Sequence, residues 1–446
     1  PPPTLLVVAG STTDLQIHCA MSAATFLRRA SGAVLRAALV APTCARATSG
    51  LSGTPSIFAA TPIVSPSRGF GAEAGLSQKT IGIVKATAPV MAEHGYAITK
   101  AMYGRMLTNN PSVSELFNKT HQVEMGGEKA FQPNALACSV HAYAAHIDDL
   151  GALTEAVERI AQKHVSLMVT EEQYGIVGEN LLWAVKEVLG DAATPDIMDA
   201  WAEAYGFLAN IFIAREKQLY TEFASSPNGW SGWKEMKVTK KAIENYGLMS
   251  VDLKPADGSG VPSFMPGQYI GVRAEVPGHG IVQRNYSLSI APGGDNLRIT
   301  VKRERPADKD APFGVMSYYI HDRLFEGDSI LVSQPAGDFF YRMDSSKRPL
   351  VLMAGGIGMT PILSILEYAV QSKLDRHITV FAAIRSNKME PYSEQLQRIS
   401  ASNLNINVNL VYDEPPKPWN TQGPLSINHL KQALVTKVRR NAMRCA

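Results

Sequence analysis

From Leu76 to Phe223 apolar residues return at spacings of three and four with almost no strand-like alternation, which predicts an all-helical domain. The clearest stretch runs over residues 154–169. Val157, Ile160, Ala161, His164, Leu167 and Met168 share one face, while Glu155, Glu158, Arg159, Gln162 and Lys163 share the other, so His164 points inward. Ser225-Ser-Pro-Asn-Gly-Trp-Ser-Gly then reads as a linker, and beyond it the period falls to two. Leu297, Ile299 and Val301 alternate with Arg298, Thr300 and Lys302, and Tyr286, Leu288 and Ile290 alternate with Asn285, Ser287 and Ser289. Separated by glycine turns such as Ala291-Pro-Gly-Gly-Asp and Glu326-Gly-Asp, these short strands predict a small antiparallel β-barrel. After Pro349 come a buried strand, a glycine turn and a helix, followed by apolar strands at residues 377–384 and 404–412, the pattern of an α/β domain with a parallel sheet. The chain thus divides into a leader (1–75), a helical body (76–222), a barrel (230–342), an α/β body (347–430) and a tail (431–446).

Length and composition agree with this multidomain reading. The chain has 446 residues, 45% hydrophobic and 19% charged, which excludes a mainly disordered protein, and no apolar run reaches the ~18–20 residues that span a bilayer. The net charge of +3 belongs to the ends. Residues 1–75 carry five arginines against Asp14 and Glu73, and the tail carries Lys431, Lys437, Arg439, Arg440 and Arg444 with no acid, so the body between is net acidic and a poor match for nucleic acid. Of four cysteines only Cys138 lies in the folded body, which excludes a disulfide framework and fits a reducing compartment. From Met21, the first methionine, to Ala72 there is Arg, Ser and Ala but no acid, the composition of a mitochondrial transit peptide, with a cytoplasmic location as the alternative. Residues 1–20 read as lying upstream of the start, and the whole leader is set outside the fold.

One inward histidine is more often a hydrogen-bonded core residue than a metal ligand. The surroundings of His164 shift that balance. Residues 91–107 bring Tyr103 onto an apolar face, Glu115-Leu-Phe-Asn supplies Phe117, and Phe131-Gln-Pro-Asn-Ala-Leu opens a helix with Gln132, Leu136 and Tyr143 at compatible spacings. With Ile83-Val-Lys-Ala-Thr-Ala-Pro-Val, Ile160-Ala-Gln-Lys-His and Glu172-Gln-Tyr-Gly-Ile-Val-Gly-Glu, these motifs resemble the globin domain of the flavohaemoglobins from Leu76 to about Tyr220. The resemblance implies a haem whose iron is held by His164, with Tyr174 and Glu216 bonding to the far side of the imidazole, a push that favours oxygen chemistry over storage. It also implies Tyr103 and Gln132 as polar groups on the oxygen side, with Phe117 and Leu136 as apolar wall. His94, His121, His141 and His146 match no ligand position.

In the barrel, Arg284-Asn-Tyr-Ser places Arg284 and Tyr286 on one face and Ser287 on the other. It resembles the R-x-Y-S signature of ferredoxin reductase-like flavoproteins, implying that Arg284 neutralises the FAD pyrophosphate, Tyr286 packs on the isoalloxazine and Ser287 bonds the flavin. Pro266-Gly-Gln-Tyr269, Lys302-Arg-Glu and Gly314-Val-Met-Ser317 accompany it. In the family Tyr269 lies against FAD, and the backbone around Gly314 and Ser317 cradles phosphate. The third body carries Gly355, Gly356 and Gly358 before a helix start, with Thr360 suited to the N-cap and Pro361 to the first helical position, and resembles the NAD(P)H-binding half of the same reductases. Arg385, Ser386 and Lys388 lean towards a 2′-phosphate but leave NADH and NADPH both open. The family's closing Cys-Gly-Pro strand and terminal phenylalanine have no counterpart, so the nucleotide domain is expected to be incomplete.

Globin, flavin barrel and nicotinamide domain in that order imply nitric oxide dioxygenase activity. NO and O2 become nitrate at haem, with electrons passing from NADPH or NADH through FAD, and no obligatory protein partner or transmembrane segment is implied. Two other readings compete. One is a haem O2- or NO-binding protein whose truncated reductase is inactive, and the other is a flavin reductase in which His164 is merely structural.

Overall fold

The computed structural model describes residues 5–9, 75–245, 247–305, 313–342 and 347–414. Apart from residues 5–9, the leader and the basic tail lie outside them, and so does the transit-peptide expectation. The helical body contains α1 (Gln78–Asn109), α2 (Pro111–Ser114), α3 (Phe131–Ala145), α4 (Thr154–Val165), α5 (Glu171–Leu189) and α6 (Pro195–Ser225). Helix α1 starts where the Ser77 side chain accepts from Thr80 N, and α6 where Thr194 does the same for Ile197 N ahead of Pro195. Between them α5 opens with a capping box from Thr170 and Gln173. Val84, Ile98, Met102, Met106, Ala184, Val185 and Ala204, all fully buried or nearly so, form the core these helices share.

The barrel follows as β2 (Lys234–Asn245), β3 (Leu248–Pro255), β4 (Tyr269–Val276), β5 (Gly280–Ser287), β6 (Leu297–Lys302), α7 (Val315–Asp322) and β7 (Ser329–Val332). Its six strands are antiparallel in the order β5-β4-β7-β2-β3-β6. The two end strands meet just past β5, where Leu288 bridges Ile299 and Ser289 N donates to Arg298 O, so the sheet closes on a core of Val238, Leu253, Ile270, Val272, Leu288 and Val301.

The α/β body holds β8 (Leu350–Gly355), α8 (Met359–Gln371), β9 (Ile378–Ser386), α9 (Ser393–Ser402) and β10 (Ile406–Glu414). One expectation fails here. The leader was set outside the fold, yet Leu5–Ala9 forms a strand, β1, that pairs in parallel with Leu350–Ala354 and gives a parallel sheet in the order β1-β8-β9-β10. A buried apolar strand such as β8 pairs on both edges when a partner can reach it, and β1 supplies the second edge. Among the described residues no helix is long and apolar enough to cross a membrane.

The helical body and the barrel touch closely. A Cβ built on Gly271 of β4 would lie 2.2 Å from the carbonyl oxygen of Ser166, just past α4. Around that point Asn285 Nδ2 donates to Ser166 Oγ at 2.7 Å, Gly337 N to Gln162 Oε1 at 2.9 Å, and Arg159 pairs with Asp338 at 3.0 Å. Gly271→Ala should therefore part the two bodies and lower unfolding stability by about 1–3 kcal/mol, read as a lower urea midpoint together with faster hydrogen exchange at Gly337. An unchanged midpoint and unchanged exchange would show that the contact has room to give.

Candidate functional site

Helix α4 delivers His164 at its last turn. Its Nδ1 lies 2.7 Å from Glu216 Oε1 and 2.9 Å from the Tyr174 hydroxyl, and that hydroxyl donates to the same carboxylate oxygen at 2.6 Å. Glu216 comes from the middle of α6 and is 3% exposed, and Tyr174 comes from the first turn of α5. Burial, with the Glu216 charge beside it, pushes the Tyr174 phenol well above its ordinary range, so it remains a donor. Because Glu216 is an acceptor, the imidazole proton sits on Nδ1 and the lone pair is left on Nε2, the tautomer a metal ligand needs. Phe212 flanks both rings at 5.7 and 6.4 Å, and Tyr205 donates to the Tyr174 carbonyl, fixing the start of α5.

A second cluster sits on α1 and α3. Tyr103, 5% exposed, accepts at its hydroxyl oxygen from Gln132 Nε2 at 3.1 Å, so its own proton stays available to a further acceptor. Burial pushes this phenol up to about 12, which keeps it protonated throughout the physiological range. Phe117 meets the Tyr103 ring edge-on at 5.4 Å, and Phe117 and Leu136 both pack against the helical core. Pro133 falls in the first turn of α3, where a proline is tolerated, and its carbonyl accepts from Thr99, so Gln132 keeps its place beside Tyr103. Leu208 packs against both the Tyr103 and the Tyr174 clusters and joins them.

The barrel face beneath α4 gathers the flavin-site candidates. Arg284 and Tyr286 lie on β5, opposite Val272 and Ile270 of β4, and Tyr269 pairs with Ser287 at the strand end. Burial pushes the phenols of Tyr269 and Tyr286 well above their usual range. Arg284 is partly buried, which lowers its pKa, and its guanidinium donates to Gln283 O at 2.6 Å and to Asn118 Oδ1 at 2.7 Å, both neutral acceptors. A partly desolvated cation held by neutral oxygens fits an anion such as pyrophosphate. Buried Gln283 Oε1 and Asn285 Oδ1, on the same strand, make no hydrogen bond among the described residues. Nearby, Gly314 precedes α7, and among the described residues no side chain caps the helix's first amides. Ser317 Oγ instead serves the loop, donating to Gly314 O and accepting from Glu304 N, and a Cβ on Gly314 would lie 2.6 Å from it.

At the end of β8, Gly355 and Gly356 have open space where a side chain would be, and Gly356 has a φ of 50°, so the backbone itself faces whatever binds there. The helix start differs from expectation. Helix α8 begins at Met359 with Gly358 in the N-cap position, and Thr360 donates to Ile357 O instead of capping, so Thr360 and Pro361 stand two residues further into the first turn. A tight 3-10 turn over Gly356–Gly358 runs straight into the helix and shifts the boundary.

Asn118, Gln162, Lys163, Ser166 and Gly271 also shape this seam, and sequence reasoning assigned none of them a role. Gln162 and Lys163 sit on the polar face of α4, which alone looks solvated. Asn118 ends a quoted motif, Glu115-Leu-Phe-Asn, and that was the one available signal.

Residues 100–212 match the Globin family and residues 352–443 match the oxidoreductase NAD-binding domain family, the second match running through most of the stretch set apart as a tail. A flavohemoprotein of Halalkalibacterium halodurans is 43% identical over 343 residues, 77% of this chain and 82% of that protein. One from Bordetella pertussis is 45% identical over 340 residues, 76% of this chain and 82% of that protein. Among solved structures, the flavohemoglobin of Malassezia yamatoensis with bound FAD and heme aligns at a TM-score of 0.67 and 27% identity, covering 82% of this chain and 96% of that one.

Lys163 gives the seam a pH signature. Its ammonium lies 5.8 Å from the centre of the Tyr269 ring, and burial, then the Arg284 charge, lowers its pKa to about 8. An unfolded lysine titrates near ~10.4, so between these values the unfolded chain binds more protons and stability rises with pH, levelling off above the upper value. Lys163→Met should abolish that rise in FAD-free protein, measured as urea midpoints between pH 7 and 11. The same rise in the variant would mean that Lys163 is not its source.

Proposed function

The chain belongs to the flavohaemoprotein family, and from that premise we propose that it is an NAD(P)H-dependent nitric oxide dioxygenase, using O2 and NO as small-molecule substrates. One observation carries the reading. The helix that presents His164, backed by buried Glu216, is the same helix that rests on the FAD-type strand pair of Tyr269 and Arg284. The residues fit both groups: a histidine with its Nδ1 proton engaged suits haem iron, and a partly buried, neutrally bonded arginine suits a pyrophosphate.

Haem supplies one-electron chemistry on O2, and FAD supplies the exchange between the paired electrons of NAD(P)H and the single electrons that haem accepts. The balance is simple: NO, O2 and one electron make nitrate. The chain's residues set the conditions. Glu216 holds the Nδ1 proton of His164, strengthening the imidazole as a donor through Nε2, and Tyr174 keeps that carboxylate oriented. Tyr103, oriented by Gln132, offers its hydroxyl proton to a negatively polarised oxygen, while Phe117 and Leu136 keep that side apolar. Arg284 neutralises phosphate, Tyr269 and Tyr286 offer ring faces, Ser287 offers a hydroxyl, and Gly355, Gly356 and Gly358 let a dinucleotide approach the backbone. The arginine-rich, acid-free stretch from Met21 to Ala72 supports delivery to mitochondria.

The reading is tested by an anaerobic absorbance spectrum of the full chain, reconstituted with haem and FAD, before and after NADPH under carbon monoxide. Appearance of the carbonmonoxy band is expected. Reduction by dithionite but not by NADPH or NADH would leave a haem binder without a working reductase. Tyr103→Phe should speed O2 dissociation by about tenfold or more, the loss of one hydrogen bond to a charged acceptor at ~1.5–3 kcal/mol, and slow NO consumption; stopped-flow rates equal to those of the unmodified chain would remove Tyr103 from the site. Arg284→Ala should lose FAD and keep haem, read from the two absorbance bands, whereas loss of both would contradict separate sites.

A further inference from the structure

The turn that follows Phe117 belongs to the globin half, yet it reaches the flavin strand. Asn118 Oδ1 accepts from Arg284 Nη2 at 2.7 Å, and the same oxygen caps the 3-10 turn Lys119–Gln122 by accepting from Thr120 N at 3.3 Å and Thr120 Oγ1 at 2.9 Å. On that turn Gln122 Nε2 is buried without a hydrogen bond among the described residues. Arg284 has five N–H donors in one plane. Gln283 O takes one from Nη1 and Asn118 Oδ1 one from Nη2, which fixes the plane of the guanidinium and leaves three donors for an anion.

We infer that Asn118 is a positioning residue of the FAD site contributed by the globin domain, orienting the Arg284 guanidinium towards the FAD pyrophosphate. The inference rests on the proposed flavin site at Arg284. An amide suits the role because it accepts without charge: it orients the cation and leaves the positive charge for the phosphates. A carboxylate would neutralise that charge and repel the ligand. Phe117, the adjacent residue, packs on Tyr103, so the turn that meets the flavin arginine also carries part of the oxygen-side wall.

Asn118→Asp separates positioning from mere structure, since aspartate caps a turn as well as asparagine does. In the haem-loaded full chain, titrated with FAD and followed by quenching of flavin fluorescence, this variant should bind FAD at least about tenfold more weakly, from a new charge beside the pyrophosphate, and the deficit should shrink as salt rises. Asn118→Ala, which removes both cap and acceptor, should weaken FAD a few-fold with no recovery in salt. If Asn118→Asp binds FAD as tightly as the unmodified chain, Asn118 is only a cap and the inference falls while the proposed function stands. If the unmodified chain fails to bind FAD at all, the flavin reading of Arg284 falls with it.

Discussion

The approach of the α4 terminus to β4, with no room for a side chain at Gly271, is the constraint on which the rest of the structure depends. A glycine there lets two backbones touch, and two backbones in contact leave little freedom to slide. Everything functional on either side inherits that register. His164 lies two residues before the contact at Ser166, and Tyr269 two residues before Gly271, so the candidate metal ligand and the candidate flavin tyrosine are held by one joint rather than by a flexible tether. The polar groups around the joint are matched in pairs. Gln162 meets Gly337, Arg159 meets Asp338, Ser166 meets Asn285, and Gln334 Nε2 donates to the carbonyls of Phe223 and Trp230, which lie at either end of the linker. These paired bonds make the seam specific in its alignment, while Gln283 Oε1 and Asn285 Oδ1 are left without a partner among the described residues.

The seam is also electrostatically biased. Lys163 and Arg284 are both pushed towards neutrality by burial, the Arg284 charge depresses Lys163 further, and among the described residues neither is hydrogen-bonded to a carboxylate. Two partly desolvated like charges side by side are unfavourable, and an anionic ligand offsets that when it binds. By contrast, two other charged groups of α4 are neutralised within the protein: Glu158 bonds Arg215 through both carboxylate oxygens and Arg159 pairs with Asp338. The unneutralised positive charge of this seam thus stands on the face where the proposed flavin site would place a pyrophosphate.

Much of this was legible in the sequence, and the reasons differ by residue. The helical, alternating and α/β periods follow directly from which side chains must be buried, so the three bodies and the inward turn of His164 could be read from one chain. Tyr174 and Glu216, ten and fifty-two positions from His164, converge on it through the packing of α5 and α6, and only the family resemblance brought them together in advance. The polar face of α4 misled in the opposite direction. Gln162 is 8% exposed because its face meets a second domain, and hydrophobic periodicity cannot tell water from a hydrogen-bonded protein surface. The start of α8 was missed by two residues for a local reason, since the 3-10 turn Gly356–Gly358 competes with the side-chain cap that Thr360 could have provided.

The parallel sheet shows the same logic from the side of an omission. The leader was set outside the fold, but the pairing of β1 along Leu350–Ala354 makes β8 an interior strand, with β9 on its other edge. In open α/β sheets, ligands bind beyond the carboxyl ends of interior strands, where the chain leaves the sheet for a helix. Gly355 and Gly356 stand at that end of β8. The exposed backbone of the glycine turn thus depends on a strand more than three hundred residues away in sequence, because an unpaired β8 would place the same glycines at a sheet margin instead of in a crevice.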